Sequence, residues 1–204
     1  MGGEACMEVE LRILDFIQSL RTPFGDVAMP FISKLGNTGM IWIILALVLL
    51  IIPKTRNYGI LVTAALLADV ILCDGILKHL FRRVRPCDIN IAVQLIIPRP
   101  KDFSFPSGHT ACSVAVSTAL FLVREKGPTA ESQQDRVRRL MGKLWIPVWI
   151  LTAVIAFSRM YLYVHYPTDI LGGIVTGLAA GYIGFRVTEK LRVHTQNRQN
   201  KTGH

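Results

Sequence analysis

Three short phrases of this chain carry residue types that together suit one chemistry. The first is Lys78-His79-Leu80-Phe81-Arg82-Arg83-Val84-Arg85-Pro86, the second is Pro106-Ser107-Gly108-His109, and the third is Ser158-Arg159 followed by His165 and Asp169. Among their residues are the histidines His109 and His165, the carboxylate Asp169 and three spaced cations, Lys78, Arg85 and Arg159. A phosphoryl group could be bound, attacked and released by such a set with no metal and no organic cofactor.

His165 and Asp169 stand four residues apart, with Pro167 between them and suited to open a helix. That spacing lets the carboxylate hold one imidazole nitrogen while the other is free to attack. Taken alone, the pair reads better as one that merely caps a helix. Ser107-Gly108-His109 reads as a helix start, where backbone amides and the positive dipole end meet an anion. Ser107 can donate there from both hydroxyl and amide, and His109 can protonate a leaving oxygen. Lys78 and Arg85 lie seven residues apart, about two turns or roughly 10 Å on one face if the helix continues that far. Pro86 then turns the chain. Arg82 and Arg83 read as cations that snorkel at the membrane edge. Asp74, four residues before Lys78, is placed to pair with it from behind the phosphate-binding set. Asp69 lies in the same apolar segment with no evident partner, an intramembrane carboxylate that marks function by default.

Each phrase sits at the end of an apolar segment, so the elements that position them belong in a membrane. Of 204 residues 51% are hydrophobic, and the mean hydropathy is +0.40. The expected architecture is all-α and integral to the membrane, a bundle of about five transmembrane helices over 37–53, 58–80, 107–123, 144–162 and 168–187. Residues 1–35 form an N-terminal segment, 36–190 the transmembrane domain and 191–204 a basic cytoplasmic tail, disordered after Thr195. In the N-terminal segment Ile13, Phe16, Ile17 and Leu20 give an amphipathic helix lying in the interface, followed by a short segment broken near Pro30. The acidic start, Met1 to Glu10, does not read as a cleavable signal peptide. Gly173, Gly177 and Gly181 form a small-residue ladder for close helix packing within the chain.

The net charge of +9 fits positive-inside topology and contact with anionic lipid, and no nucleic-acid motif accompanies it. Lys54, Arg56, the basic residues from Arg124 to Lys143, and Arg186, Lys190 and Arg192 mark one face as cytoplasmic. The three phrases then lie on the extracytoplasmic face of the plasma membrane. The apolar run 91–97 is too short to span, and it either rests on the membrane or packs over the helix ends. Residues 127–135 read as a flexible loop. Cys6, Cys73, Cys87 and Cys112 lack metal-ligand spacing; Cys73 and Cys112 are packing residues, and Cys6 and Cys87 share a face where a disulfide could form.

With these residues in view, the chain resembles the type-2 phosphatidic acid phosphatases, relatives of the vanadium haloperoxidases and bacterial acid phosphatases. The family's pattern is Lys, six residues, Arg-Pro; then Pro-Ser-Gly-His; then Ser-Arg, five residues, His, three residues, Asp. Lys78, Arg85 and Pro86, Pro106 to His109, and Ser158, Arg159, His165 and Asp169 match it throughout, and the likeness covers about residues 36–190. The resemblance implies that His165 is the nucleophile, forming a phosphohistidine oriented by Asp169. It implies that His109 is the general acid and later activates water. Lys78, Arg85, Arg159, Ser107 and the Gly108 amide would hold the phosphate oxygens, with no metal. The apolar composition places the chain with the membrane branch. The expected substrate is a lipid phosphate or pyrophosphate, such as undecaprenyl pyrophosphate, phosphatidylglycerophosphate or phosphatidic acid. A lipid-linked phosphotransferase and a non-enzymatic protein that binds or moves polyprenyl phosphates are the alternatives.

Overall fold

The computed structural model describes residues 2–124, 140 and 143–202. Among them the regular structure is all helical: α1 (Gly2–Ser19), α2 (Pro23–Leu35), α3 (Met40–Ile51), α4 (Arg56–Asp69), α5 (Lys78–Phe81), α6 (Pro86–Ile89), α7 (Gly108–Arg124), α8 (Trp145–Tyr161) and α9 (Pro167–Thr202). A π-helical stretch, Val70–Leu77, joins α4 to α5. Two stretches are long and apolar enough to cross a bilayer, Arg56–Ile89 and Pro167–His194. α2 and α3 meet at a 46° bend and make a third span if read as one broken helix. α7 and α8 are apolar but shorter, at 17 residues each.

α9 packs along α7 because its glycines remove the side chains that would hold the two backbones apart. A Cβ on Gly177 would lie 2.5 Å from the Ala111 carbonyl oxygen, and one on Gly181 would lie 2.6 Å from that of Ala115. The ladder is thus an intramolecular seam, as its spacing predicts. On the other side of α7, Trp42, Ala46 and Leu49 of α3 meet Cys112, Val116 and Leu120 of α7 and Val148 and Ile155 of α8. The Trp42 indole donates to Ser113 Oγ at 2.9 Å, so its buried N–H is satisfied.

α1 turns Glu10, Leu14 and Ile17 inward, while Val9, Ile13 and Phe16, with Leu20 just past its end, stay exposed as an apolar face. Leu14 and Ile17 join a second core with Cys87, Tyr161, Tyr163 and Tyr166. Pro30 does not break α2, which runs on to Leu35. The chain bends later, where Gly39 takes a left-handed φ of 66° at the start of α3. Over the 91–97 run, Val93, Leu95 and Ile97 pack against the second core while Ile91 is exposed. The backbone stays helical through the expected disordered tail to Thr202. No glycine or proline interrupts the sequence between Gly184 and Gly203. Cys73, Cys87 and Cys112 are buried free thiols and Cys6 an exposed one, so Cys6 and Cys87 are not bonded. The 127–135 loop lies outside the described residues.

Candidate functional site

The three phrases meet at one end of the bundle, around a cleft of about 560 Å³ lined by Lys78, Arg85, Gly108, His109, Arg159 and His165 among others. His165 is brought there by the segment after α8, which folds back on itself. The Val164 amide donates to the Arg159 carbonyl at 3.1 Å, and Tyr163 takes a left-handed φ of 60°. Asp169, in the first turn of α9, reaches back to His165, with Oδ2 3.3 Å from Nδ1. On the other side of the ring, Arg85 Nη1 lies 3.1 Å from His165 Nε2. These partners assign the proton to Nδ1, which donates to Asp169, and leave the Nε2 lone pair facing a guanidinium N–H. Nε2 is therefore engaged by Arg85 rather than free. Burial, opposed by Asp169 but reinforced by Arg85 and Arg159, pushes the His165 pKa down to about 3. The ring is neutral at ordinary pH and keeps the lone pair an attack requires.

Lys78 and Arg85 converge by a route the helical spacing does not describe. The helix stops at Phe81, where Arg82 adopts φ 45° and its amide closes the last turn onto the Lys78 carbonyl at 2.9 Å. Arg85 then arrives on non-helical chain and donates to the carbonyls of Val164 at 2.7 Å and Asp102 at 2.9 Å. Lys78 Nζ is paired with Asp74 at 2.6 Å, as the four-residue spacing predicts, and also with Asp102 at 2.6 Å. Arg159 is buried and donates from Nη1 to Ser33 Oγ, while its Nε meets no acceptor among the described residues. A buried guanidinium N–H at a cleft wall is suited to an anionic ligand.

Gly108 and His109 line the cleft at the start of α7. His109 Nε2 is 2.9 Å from Asn37 Oδ1, and Gly36 packs so closely that a Cβ there would be 2.8 Å from the imidazole. Ser107 is fully buried, and its amide is already committed to the Asp169 carbonyl at 3.0 Å. It accepts from Thr110 at 3.1 Å, leaving its hydroxyl as the group with a proton to give. The expectation that the Ser107 amide faces an anion is thereby corrected. That amide ties α7 to α9.

Several partners escape a reading by motif. Arg83 does not snorkel. It donates to Asp169 Oδ1 at 2.7 Å, to Thr168 Oγ1 at 2.6 Å and to Glu10, and stacks 3.9 Å over the Tyr166 ring. Glu10 comes from α1, is only 4% exposed, and also accepts from the Thr168 amide at 3.0 Å. Its stripe of Glu10, Leu14 and Ile17 follows helical spacing, a legible sign of an acid turned inward. Asp169 further accepts from Ser104 Oγ and the Tyr166 amide. Asp102 and Ser104 precede the Ser107 phrase in the same loop, yet no spacing rule points to them. Asp69 is buried, with Oδ1 unpartnered among the described residues.

A neutral imidazole held by a buried carboxylate, beside a second histidine and three cations, can attack phosphorus, spread the charge of transfer and protonate a leaving oxygen. Comparison with known proteins finds phosphatases that act on lipid phosphates. The chain is 25% identical to an undecaprenyl-diphosphatase of Sulfolobus acidocaldarius over 92% of its own length and 82% of the relative's. It is 28% identical to a lipid A 4'-phosphatase of Porphyromonas gingivalis, over 90% of this chain and 75% of that one. Its fold matches the transmembrane PAP2-type phosphatidylglycerolphosphate phosphatase of Bacillus subtilis with a TM-score of 0.69 at 24% identity, covering 91% and 87% of the two chains. The profile of the PAP2 superfamily matches residues 57–192, and the chain belongs to that superfamily.

Proposed function

We propose that the protein is a metal-independent phosphatase of membrane lipids that works through a phosphohistidine. The observation that carries this reading is the His165 imidazole, held between Asp169 on Nδ1 and Arg85 on Nε2 at the wall of a cationic cleft. In the first half-reaction Nε2 attacks phosphorus, the bond from phosphorus to the lipid oxygen breaks, and His109 gives that oxygen its proton. In the second, His109 takes a proton from water. The hydroxide attacks phosphorus, the P–N bond breaks, and inorganic phosphate leaves. Lys78, Arg85, Arg159, the Ser107 hydroxyl and the Gly108 amide hold the phosphoryl oxygens through both steps.

Side-chain cations supply the charge compensation, and among the described residues no group of three or more His, Cys, Asp or Glu is placed to hold a metal ion. The substrate class is a phosphate monoester or pyrophosphate on a lipid. Undecaprenyl pyrophosphate, lipid A and phosphatidylglycerophosphate enter as candidates through the relatives, and phosphatidic acid through the family resemblance. In the bilayer, five spans are proposed: α2 with α3, the stretch from α4 to α6, α7, α8 and α9. The cleft opens outside the cytoplasm, because Lys54, Arg56, Arg186, Lys190 and Arg192 lie toward the other ends of these helices.

The test is phosphate release by detergent-purified protein in excess chelator on each candidate lipid, with His165→Ala alongside. Turnover that survives chelation and is lost in the variant is expected, together with an acid-labile phosphoprotein after rapid quenching. Turnover abolished by the chelator and restored by a metal refutes the metal-free route. Release that occurs only with an added acceptor reassigns the protein as a transferase.

A further inference from the structure

One acidic side chain stands where the proposed reaction needs an anion. Asp102 presents its two carboxylate oxygens to the two cations of the first phrase. Oδ2 lies 2.6 Å from Lys78 Nζ, and Oδ1 accepts from Arg85 Nη2 at 2.8 Å. Burial alone would push this carboxyl up, but Lys78 and Arg85 more than offset that and hold it well below the usual carboxylate range. Its side chain is 52% exposed and lines the cleft beside His109 and Arg159.

The carboxylate is not needed to hold either cation in place. Arg85 is fixed by the carbonyls of Val164 at 2.7 Å, Asp102 at 2.9 Å and Phe103 at 3.3 Å. Those contacts use backbone, so they persist if the Asp102 side chain swings aside. Lys78 has its own partner in Asp74 at 2.6 Å. A positioning role is thus already filled twice over, and what the Asp102 carboxylate adds is negative charge on the phosphate-binding groups.

Resting on the phosphatase reading above, we infer that Asp102 is an internal competitor for the phosphate subsite: its carboxylate occupies Lys78 and Arg85, is displaced by the substrate phosphoryl group, and returns as inorganic phosphate departs. Two consequences follow. Substrate must exchange one oxyanion for another, which favours the more highly charged phosphomonoester or pyrophosphate over a singly charged diester. Product phosphate is also held less tightly than three cations alone would hold it, which speeds its release.

The experiment is direct binding of inorganic phosphate, by calorimetry on detergent-purified protein at fixed ionic strength, to wild type, Asp102→Asn and Asp102→Ala. Inhibition of lipid-phosphate turnover by added phosphate is measured in parallel. A full charge removed within 3 Å of two phosphate ligands should tighten phosphate binding at least about tenfold in both variants and lower the inhibition constant to match. Asp88→Asn, which removes a charge paired instead with Arg99 at 2.6 Å, should change it less than about twofold. Unchanged or weaker phosphate binding in both Asp102 variants, with wild-type turnover intact, overturns the competitor role alone. An equal gain in Asp88→Asn also overturns it, by showing a general charge effect. Absence of both turnover and phosphate binding in every protein overturns the phosphatase reading with it.

Discussion

Arg83 offers the sharpest test of how the nucleophile is held. It is the one full positive charge in hydrogen-bonding contact with Asp169 and with Glu10 among the described residues, and its side chain is a quarter exposed while both carboxylates are buried. Arg83→Met would leave Asp169 with the Ser104 hydroxyl, the Tyr166 amide and His165, and Glu10 with the two Thr168 donors. Neither acid loses all its hydrogen bonds, but each loses its counter-charge. Breaking a buried pair typically costs about 3–5 kcal/mol, and the partial exposure of Arg83 argues for the lower end, about 3 kcal/mol. For a chain of this size that lowers the Tm by about 6–12 °C. The assay is thermal unfolding in detergent, followed by circular dichroism, on Arg83→Met, Glu10→Gln and the double variant. The double variant should recover part of the loss, since the uncompensated Glu10 charge has gone. Turnover should also fall in Arg83→Met, because Asp169 loses the partner of Oδ1 and is then held through Oδ2 alone as it orients His165. A Tm within about 2 °C of wild type, or a double variant no more stable than Arg83→Met, would refute the reasoning.

Other consequences follow from the same geometry. His109→Gln should lower turnover of a lipid phosphate about 10²–10⁴-fold. It should cost far less on an aryl phosphate whose phenolate leaves without a proton, and equal losses on both would argue against a general acid. Because the His165 pKa lies near 3, below the ordinary 6.5, the nucleophile stays unprotonated as pH falls from 8 to 5, and kcat/KM should show no acid limb of its making. The linked stability has a definite sign. The unfolded chain takes up this proton near pH 6.5 and the folded chain only near 3, so stability is full above about 6.5 and falls as the pH drops through that window. Wild type should therefore lose more Tm between pH 7.5 and 4.5 than His165→Asn, a comparison made by thermal melts. Gly177→Leu should cost at least about 1–3 kcal/mol by driving α9 off α7, since even its Cβ would lie 2.5 Å from the Ala111 carbonyl oxygen; the Tm reports it.

Much of this protein is written locally. Long continuous apolar runs favour helices because a bilayer admits only helices and closed barrels, and barrel strands are short and alternate apolar with polar residues, so the helical class follows from composition and length alone. The glycine ladder states how closely α9 can approach a neighbour. The Lys78–Asp74 pair and the His165–Asp169 pair each join residues four apart, and such spacing is read directly from the chain. The tertiary structure alone decided which distant groups complete the site. Glu10 reaches Thr168 across 158 positions, Ser33 reaches Arg159 across 126, and Asn37 reaches His109 across 72. Nothing in local spacing encodes such meetings, because they depend on how α1 and α2 dock against the ends of the bundle. The course of the chain from Phe81 to Arg85 was decided the same way. Helical spacing would carry Lys78 and Arg85 down one face, but the carbonyls of Val164, Asp102 and Phe103 draw Arg85 off the helix. The residue types thus determined what chemistry is on offer, and the packing decided which carboxylate faces which cation, since charge pairing over long sequence separations is set by helix docking.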